Sequence, residues 1–149
     1  SVVADSQVAV CLMHMQGQPR TMQQSYGYDD VIEEVRRFLE TRVVACKSAG
    51  ISSERILIDV GFGFGKSLDQ NFKLLKCLTH FKTLNLPIVV GISRKSMIGS
   101  LVNRPPRECV AGSIAATILA LENGANIVRT HDVAATVDAI RVHSTYILA

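Results

Sequence analysis

Four short runs of apolar residues alternate with longer segments in which apolar residues recur every three or four positions. A short continuous apolar run is typical of a β-strand covered on both faces, and the three-to-four spacing is typical of an amphipathic helix. The runs predict strands at 8–13, 56–58, 88–92 and 125–129. The spacing predicts helices at 29–49, for about 14 residues after Ser67, at 107–123, and through Val133, Val137 and Ile140. The apolar composition of 110–121 predicts that the third helix is buried on all sides.

The alternation of strand and helix predicts an α/β fold with parallel strands and right-handed crossovers. A polar cluster follows each strand, at 14–20, 59–66, 93–96 and 129–132. Because parallel strands end at one edge of a sheet, these loops are expected to converge on one site. An open doubly wound sheet is one architecture, but no GxGxxG opens the first helix. A complete (β/α)₈ barrel needs roughly 250 residues, so four units predict half a barrel.

One carboxylate stands at the end of the second strand, directly before a glycine-rich turn. Asp59 precedes three glycines at 61, 63 and 65, which alternate with Phe62 and Phe64. Glycines permit a sharp turn and a close approach of the backbone to a ligand. The pattern favours a site for a planar ring that donates hydrogen bonds. A connecting loop in which Asp59 caps a turn explains the same residues equally well.

Composition narrows the class of protein. The 149 residues are 48% hydrophobic, and the formal charge of +3 is spread along the chain without a basic block. Binding to nucleic acid or to a membrane surface is therefore not indicated. No apolar run approaches the roughly 18 residues that span a bilayer, and no signal peptide opens the chain, so we expect a cytoplasmic protein. The widely spaced cysteines are expected to be buried reduced thiols; they are Cys11, Cys46, Cys77 and Cys109.

The four strand-end loops resemble the signatures of the dihydropteroate synthase family. The matching blocks are His14-Met-Gln-Gly…Thr21-Met-Gln23, Asp59…Gly61-Phe-Gly-Phe-Gly-Lys66, Gly91…Ser93-Arg-Lys-Ser-Met-Ile-Gly99 and Arg129…His131-Asp132. The resemblance covers essentially the whole chain, 1–149, and implies the C-terminal half of a pterin-binding (β/α)₈ barrel. One departure is Val60, where the family commonly has proline, which would restrict the loop more tightly.

The resemblance implies an activity and its partners. The family condenses 6-hydroxymethyl-7,8-dihydropterin diphosphate with p-aminobenzoate, giving 7,8-dihydropteroate and pyrophosphate, and is the target of sulfonamide inhibitors. It also implies Mg²⁺, held by a residue of the N-terminal half that this chain lacks, and a homodimer. No metal ligand is assigned within the chain, and no HExxH or Cys/His cluster indicates zinc.

The resemblance also implies site residues. Those expected at the pterin are Met13, Asp59, Phe64, Gly91, Lys95 and Arg129. Those expected at p-aminobenzoate are Phe64, Ser93, Arg94 and Ser96, with the Arg94 guanidinium and the Phe64 ring on opposite faces of the substrate ring. Arg129 and His131 are expected to bind pyrophosphate, and together with Lys95 they form the expected catalytic set. Simpler interpretations remain for some of them: a solvated surface lysine at position 95, and core packing for Phe64 and Met13.

Two other functions compete with the synthase. One is a catalytically incomplete half-barrel that binds pterin or an anion, or that self-associates through its unpaired strands. The other is a pterin-binding methyltransferase with a related barrel. The block from Ser93 to Ser96 argues against the methyltransferase, because methyl transfer needs no site for an arylamine carboxylate.

Overall fold

The computed structural model describes residues 2–17 and 27–149 as alternating strands and helices. Three short 3₁₀ segments, at Ser53–Arg55, Leu78–Leu84 and Pro106–Glu108, connect them. The strands and α-helices are β1 (Val10–Met13), α1 (Val31–Ser48), β2 (Ile56–Asp59), α2 (Leu68–Lys76), β3 (Ile88–Val90), α3 (Ser96–Val102), α4 (Val110–Glu122), β4 (Ile127–Val128) and α5 (Val133–Leu148).

The four strands form one sheet in the order β1-β2-β3-β4, and every pair is parallel. A doubly wound sheet reverses its strand order at a switch point, whereas a barrel wall runs in chain order. The order therefore confirms the half-barrel and rules out the doubly wound alternative. Asp59 is paired with Met13 on β1 and with Val89 on β3, which aligns the carboxyl ends of the strands at one edge.

The two faces of the sheet differ in their cover. Ile56 and Ile58 point to the helix side and are fully buried with the core residues of α1 and α2. The alternate residues, among them Cys11, Leu57 and Ile127, line an open trough of about 600 Å³ on the opposite face. This is the inner face of the barrel. The prediction that every cysteine is buried is wrong for Cys11, which is exposed in this trough; Cys109 is buried, and Cys46 and Cys77 are partly buried.

The helix ends follow their capping signals more closely than their apolar spacing. Asp30 caps α1 by accepting from the backbone N–H groups of Ile32 and Glu33, and Ser67 forms a capping box with Gln70 at the start of α2. The helix predicted to run for about 14 residues ends at Lys76 and continues as a 3₁₀ segment. Its apolar pattern continues because the 3₁₀ segment buries the same side of the chain.

The last two helices are more exposed than predicted. α4 buries the small residues Ser113, Ala116, Thr117 and Ala120, while Leu119 is 50% exposed, so burial on all sides was wrong. On α5 the predicted apolar face is exposed at Val133 and Val137, and Thr136 is the buried residue. A shallow groove between the two helices is lined by Ile118, Val142 and Tyr146. This groove and the exposed apolar side chains of the same helices are called the α4–α5 surface below; those side chains are Leu119, Val142, Tyr146, Ile147 and Leu148.

Among the residues that the structure describes, none of the helices combines the length and the apolar character that crossing a bilayer requires.

Candidate functional site

Asp59 ends β2 with its side chain almost completely buried. Its Oδ1 accepts a hydrogen bond of 2.7 Å from the backbone N–H of Gly61. The turn-capping interpretation is thus correct for one oxygen, while Oδ2 receives no hydrogen bond from the described residues. Burial raises the pKa of Asp59, against the lowering effect of the Gly61 N–H and of the charges on Lys95, Arg129 and Lys66.

The turn after Asp59 requires a glycine at position 61, because any side chain there would force the neighbouring backbone to move. Gly61 has a φ of +71°, and a Cβ placed on it would lie 1.8 Å from the carbonyl oxygen of His14.

The two aromatic residues of this turn differ in their burial. Phe62 is fully buried in the core, whereas Phe64 is partly exposed and lies on the site side of the loop. The core alternative therefore holds for Phe62 and not for Phe64.

Asn71 of α2 stabilises the loop after β2 through hydrogen bonds to the loop backbone. Its Oδ1 accepts from the backbone N–H of Gly63 at 2.7 Å, and its Nδ2 donates to the carbonyls of Lys66 and Ser67 at 3.0 and 2.7 Å. All these groups are buried or partly buried, so the amide satisfies backbone groups that water does not reach. Sequence reasoning did not identify Asn71, because an asparagine inside a helical pattern carries no local signal for such contacts.

Lys66 and His14 form a buried pair that sequence reasoning also missed. Lys66 Nζ lies 3.0 Å from His14 Nδ1 and donates to the carbonyls of Gly61 and Phe64 at 2.9 and 3.1 Å. The His14 ring also meets the edge of Phe38 at 4.9 Å between centroids. Burial, reinforced by the Lys66 charge, lowers the pKa of His14 to about 4. The remainder of the 14–23 block, from residue 18 onward, lies outside the described residues.

Lys95 lies over the ring of Phe64, with Nζ 4.4 Å from the ring centroid, and donates to the carbonyl of Phe62. Burial lowers the pKa of Lys95 to about 8, with Arg129 acting in the same direction and Asp59 opposing. The simpler interpretation of a solvated surface lysine is therefore wrong. The cation on Phe64 here is Lys95, so the sandwich of a substrate ring between Arg94 and Phe64 stays a prediction.

Arg94 is turned towards the loop after β4. Its Nε and Nη2 bind the two carboxylate oxygens of Asp132 at 3.1 and 2.5 Å, and its backbone N–H donates to Ser113 Oγ at 3.0 Å. The residue has a φ of +58°, in the left-handed region that L-residues rarely occupy. The Arg94 hydrogen bonds lower the pKa of Asp132. Asp132 belongs to one of the motifs that the sequence analysis identified, whereas nothing in the sequence indicated that Ser113 would contact Arg94.

Arg129 and His131 are held against the loop after β3. The Arg129 guanidinium covers Gly91 so closely that a Cβ there would lie 2.7 Å from Nη2. The His131 ring and backbone N–H both approach Ser93 Oγ, at 3.1 and 3.2 Å. The structure thus brings the predicted site residues Gly91 and Arg129 into contact, and likewise Ser93 and His131.

The remaining predicted residues border the same edge. Met13 lines the trough together with Asp59 and Arg129. Ser96 begins α3, as predicted, and lines a neighbouring polar cavity of about 270 Å³ with Lys66 and Asn71. The edge therefore combines a buried carboxylate, two cations that face it, an aromatic ring and a polar cavity. This set of groups suits a planar ligand that donates hydrogen bonds and carries an anionic group.

No three His, Cys, Asp or Glu side chains in residues 2–17 and 27–149 come together as a metal-binding group.

Comparison with known proteins identifies relatives of this arrangement. The family described as pterin binding enzymes matches residues 1–131. The dihydropteroate synthase of Escherichia coli K12 is 51% identical over 139 residues, and that of Synechocystis is 41% identical over 143 residues. The matches cover 93% and 95% of this chain, but 49% and 50% of those proteins. The chain therefore spans about half the length of the curated relatives it matches.

Solved structures agree with the sequence matches. The Yersinia pestis dihydropteroate synthase with a sulfonamide drug superposes with a TM-score of 0.91 at 46% identity, covering 93% of this chain and 50% of that one. The Xanthomonas albilineans enzyme in complex with 7,8-dihydropteroate superposes with a TM-score of 0.91 at 48% identity, covering 99% and 55%. The same enzyme with 4-aminobenzoic acid gives a TM-score of 0.92.

Proposed function

The chain belongs to the family of pterin binding enzymes, and we propose that it forms half of the active site of a dihydropteroate synthase. The proposed reaction joins 6-hydroxymethyl-7,8-dihydropterin diphosphate to p-aminobenzoate, releasing pyrophosphate and 7,8-dihydropteroate. Asp59 is the observation that carries the proposal. It is a buried carboxylate with one oxygen fixed by Gly61 and the other without a hydrogen bond from the described residues, at an edge that cations and an aromatic ring share.

The pterin is the substrate that suits Asp59. Its ring presents parallel N–H donors, which a carboxylate can accept in a fixed orientation. Lys95 hydrogen-bonds the same ring, and Met13 and Phe64 provide apolar contacts beside it. Since the Asp59 carboxylate is desolvated, each N–H donor that reaches it replaces a hydrogen bond lost from water.

The bond between the pterin methylene and the diphosphate oxygen breaks in the reaction, and the electron pair leaves with pyrophosphate. Arg129 and His131 stabilise the departing negative charge, which is electrostatic catalysis by groups that are already in place. The amine nitrogen of p-aminobenzoate then bonds to the methylene and loses a proton. Gly91 permits this arrangement, because any side chain there would displace the Arg129 guanidinium.

The p-aminobenzoate site lies beside the pterin site in this proposal. Ser93, Arg94 and Ser96 stand on the loop after β3 and at the start of α3, where a carboxylate can meet hydroxyl and backbone N–H donors. Asp132 fixes Arg94 on this loop through two hydrogen bonds. Sulfonamides are proposed to occupy the same place.

The open trough supports the proposal that an N-terminal half completes the barrel. A cytoplasmic location is proposed from the resemblance to enzymes of folate biosynthesis alone. Cys11 and Ile127 are exposed on what is the inner wall of a barrel, and β1 and β4 are the outer strands of the described sheet. Mg²⁺ is proposed to be held by that other half, and when bound it would supply further positive charge for the departing pyrophosphate.

The α4–α5 surface supports a homodimer. Val142, Tyr146 and Ile147 are each more than half exposed on this apolar surface. Surfaces of this kind mark protein contacts. We expect Val142→Glu to convert the dimer of the complete enzyme into monomers in light scattering, while Lys47→Glu on exposed α1 leaves it dimeric. A dimer that survives Val142→Glu would contradict this interface.

The activity is tested in a completed enzyme, in which the N-terminal half of the Escherichia coli relative precedes residues 1–149 in one chain. A coupled assay measures pyrophosphate release with both substrates, for this chain alone and for the completed enzyme. We expect activity in the completed enzyme, and loss of at least about 100-fold in kcat/KM for Asp59→Ala because a charge-assisted pair with the pterin is lost. Asp69→Ala, at an exposed position of α2, is the matched control.

Two outcomes would contradict the proposal. Activity of the completed enzyme that is unaffected by Asp59→Ala would remove the pterin-site assignment. An inactive completed enzyme that is folded and binds pterin would instead support the incomplete binding half-barrel. Light scattering of this chain alone is a separate test. A stable monodisperse monomer would argue against a half-barrel with unpaired edge strands.

A further inference from the structure

The proposed mechanism leaves one buried charged group without a role, and that group is Lys66. It is 3% exposed, and its partner His14 is 6% exposed, so both side chains are removed from water. Burying a lysine is costly unless it is paired and fully hydrogen-bonded. A buried lysine next to a ligand loop therefore needs an explanation in terms of what it holds in place.

The Lys66 amine is surrounded by three polar atoms. Its Nζ lies within 3.1 Å of the carbonyl oxygens of Gly61 and Phe64 and of His14 Nδ1. A charged ammonium donates to all three, and His14 is then a neutral ring with its proton on Nε2. A neutral amine donates to the two carbonyls and accepts from a proton-bearing Nδ1. Burial lowers the pKa of Lys66 to about 7, and both forms keep Lys66 bound to the loop and to His14.

The pair determines the path of the loop that carries the site. The two carbonyls that Lys66 binds lie on either side of Phe62, whose own carbonyl accepts from Lys95. The Gly61 N–H at the start of this loop binds Asp59. Releasing Lys66 would therefore loosen the carbonyl that holds Lys95 and the N–H that holds Asp59. The His14 ring is fixed in turn by its edge contact with Phe38.

We propose that Lys66, held by His14, is a positioning residue of the pterin site that acts through residues 61–65 without touching the substrate. This inference rests on the proposed function. It predicts a larger effect on the pterin than on p-aminobenzoate, because Asp59 and Lys95 both depend on residues 61–65, whereas Phe64 is the one residue of that loop assigned to p-aminobenzoate. The charged groups that act on Lys66 are Asp59, which favours its ammonium, and Lys95, which opposes it.

The first test measures both KM values in the completed enzyme. Lys66→Met is expected to raise the KM for the pterin diphosphate by about tenfold or more, since small displacements of positioning groups have effects of this size. The KM for p-aminobenzoate is expected to rise by about threefold at most, since Phe64 is the one residue of this loop assigned to that substrate. Lys76→Met, at an exposed position of the helix α2 that follows Lys66, is the matched control and leaves both KM values unchanged.

His14 variants keep the test decisive if Lys66→Met does not fold. In His14→Asn the side-chain oxygen can take the place of Nδ1 and accept from Lys66, whereas His14→Leu offers no acceptor. We expect the pterin KM to stay near its original value in His14→Asn and to rise in His14→Leu. Equal rises of both KM values in Lys66→Met, or equal behaviour of the two His14 variants, would overturn the proposal in favour of a purely structural role.

The second test does not depend on activity. Nitrogen chemical shifts of the His14 ring, measured by NMR in the completed protein, are expected to show a neutral ring from about pH 5 to about pH 8, with its proton on Nε2 while Lys66 is charged. A ring that titrates near about 6.5, as an unpaired imidazole does, would overturn the pairing with Lys66. If the completed enzyme is inactive, the proposed function fails, and this measurement still decides whether the Lys66–His14 pair exists.

Discussion

Gly61 offers a direct test of how the turn after β2 is packed, through the substitution Gly61→Ala. The residue has a φ of +71°, and the added methyl group would lie 1.8 Å from the backbone carbonyl oxygen of His14. That oxygen belongs to the backbone that follows β1, so it cannot rotate away as the end of a flexible side chain could. Gly50 is the matched control, because its φ is +85° and nothing lies within 4 Å of the added methyl group.

The two substitutions separate the conformational cost from the steric cost. An alanine in the left-handed region costs about 1–2 kcal/mol, partly offset by about 0.4–1 kcal/mol from the stiffer unfolded chain. Gly50→Ala should therefore lower the free energy of unfolding by about 1 kcal/mol. Gly61→Ala adds overpacking against backbone, typically about 1–3 kcal/mol, so the difference between the variants should be about 2 kcal/mol.

Urea unfolding of the completed enzyme, followed by far-ultraviolet circular dichroism, measures this difference. We also expect Gly61→Ala to raise the KM for the pterin diphosphate, because the Gly61 N–H that binds Asp59 must move, while Gly50→Ala leaves that KM unchanged. If the two variants lose the same stability, the close approach between Gly61 and His14 does not exist in solution, and the reasoning is refuted.

Three further predictions concern the loops after β3 and β4. Gly91→Ala should displace the Arg129 guanidinium, lowering the rate of pyrophosphate release at least about tenfold with a loss of stability of about 1 kcal/mol or less, measured in the coupled assay and by urea unfolding. Since the pKa of Lys95 is lowered to about 8, its side chain binds more protons in the unfolded than in the folded chain between about pH 8 and about pH 10.5, so stability should rise with pH across that window while pterin binding weakens above about pH 8. Lys66, with a pKa lowered to about 7, acts in the same direction, so a Lys95→Met variant should show a smaller rise in pH-dependent urea unfolding, and an unchanged rise would contradict the role of Lys95. Asp132→Asn removes the charge that holds Arg94 and should raise the KM for p-aminobenzoate at least about threefold with little change in the pterin KM; equal changes in both would contradict this role.

The sequence predicts well whatever depends on local patterns. The four strands and the start of α2 after Ser67 follow from apolar spacing and from a side chain next to its own backbone targets. The end of α2 was predicted less well, because Leu78 and Phe81 bury the same face whether the chain continues as an α-helix or as a 3₁₀ segment. Apolar spacing alone does not distinguish these two helices.

The exposed faces were predicted least well. The sequence predicts fully buried strands at Cys11 and Ile127 and an amphipathic helix with Val137 on its apolar face, yet all three residues are exposed. These exposures agree with the proposals that an N-terminal half closes the barrel over the strands and that a second copy covers α5. A sequence pattern records which residues are apolar, and it does not say whether the same chain or another one covers them.

Asp59 shows why the site could be located from sequence but not assigned a chemistry from its own motif. A single acceptor atom could either bind a ligand ring or cap a turn. A carboxylate has two oxygens, and in this structure Oδ1 of Asp59 caps the turn. The Gly61 hydrogen bond then orients the carboxylate rather than occupying it. No salt bridge within 4 Å joins Asp59 to Lys95 or Arg129 in the described part of the chain, although both charges act on its pKa.

The absence of these ion pairs affects how a ligand reaches Asp59. If Lys95 or Arg129 were in contact with Asp59, a ligand would have to break an ion pair before its N–H donors reached the carboxylate. Instead, Lys95 is held by the Phe62 carbonyl and the Phe64 ring, and Arg129 by its packing on Gly91. The carboxylate is thereby kept desolvated and oriented, while its second oxygen remains available to a donor. A ligand with N–H groups gains hydrogen bonds there without first displacing a protein partner, which favours the pterin over an anion at Asp59.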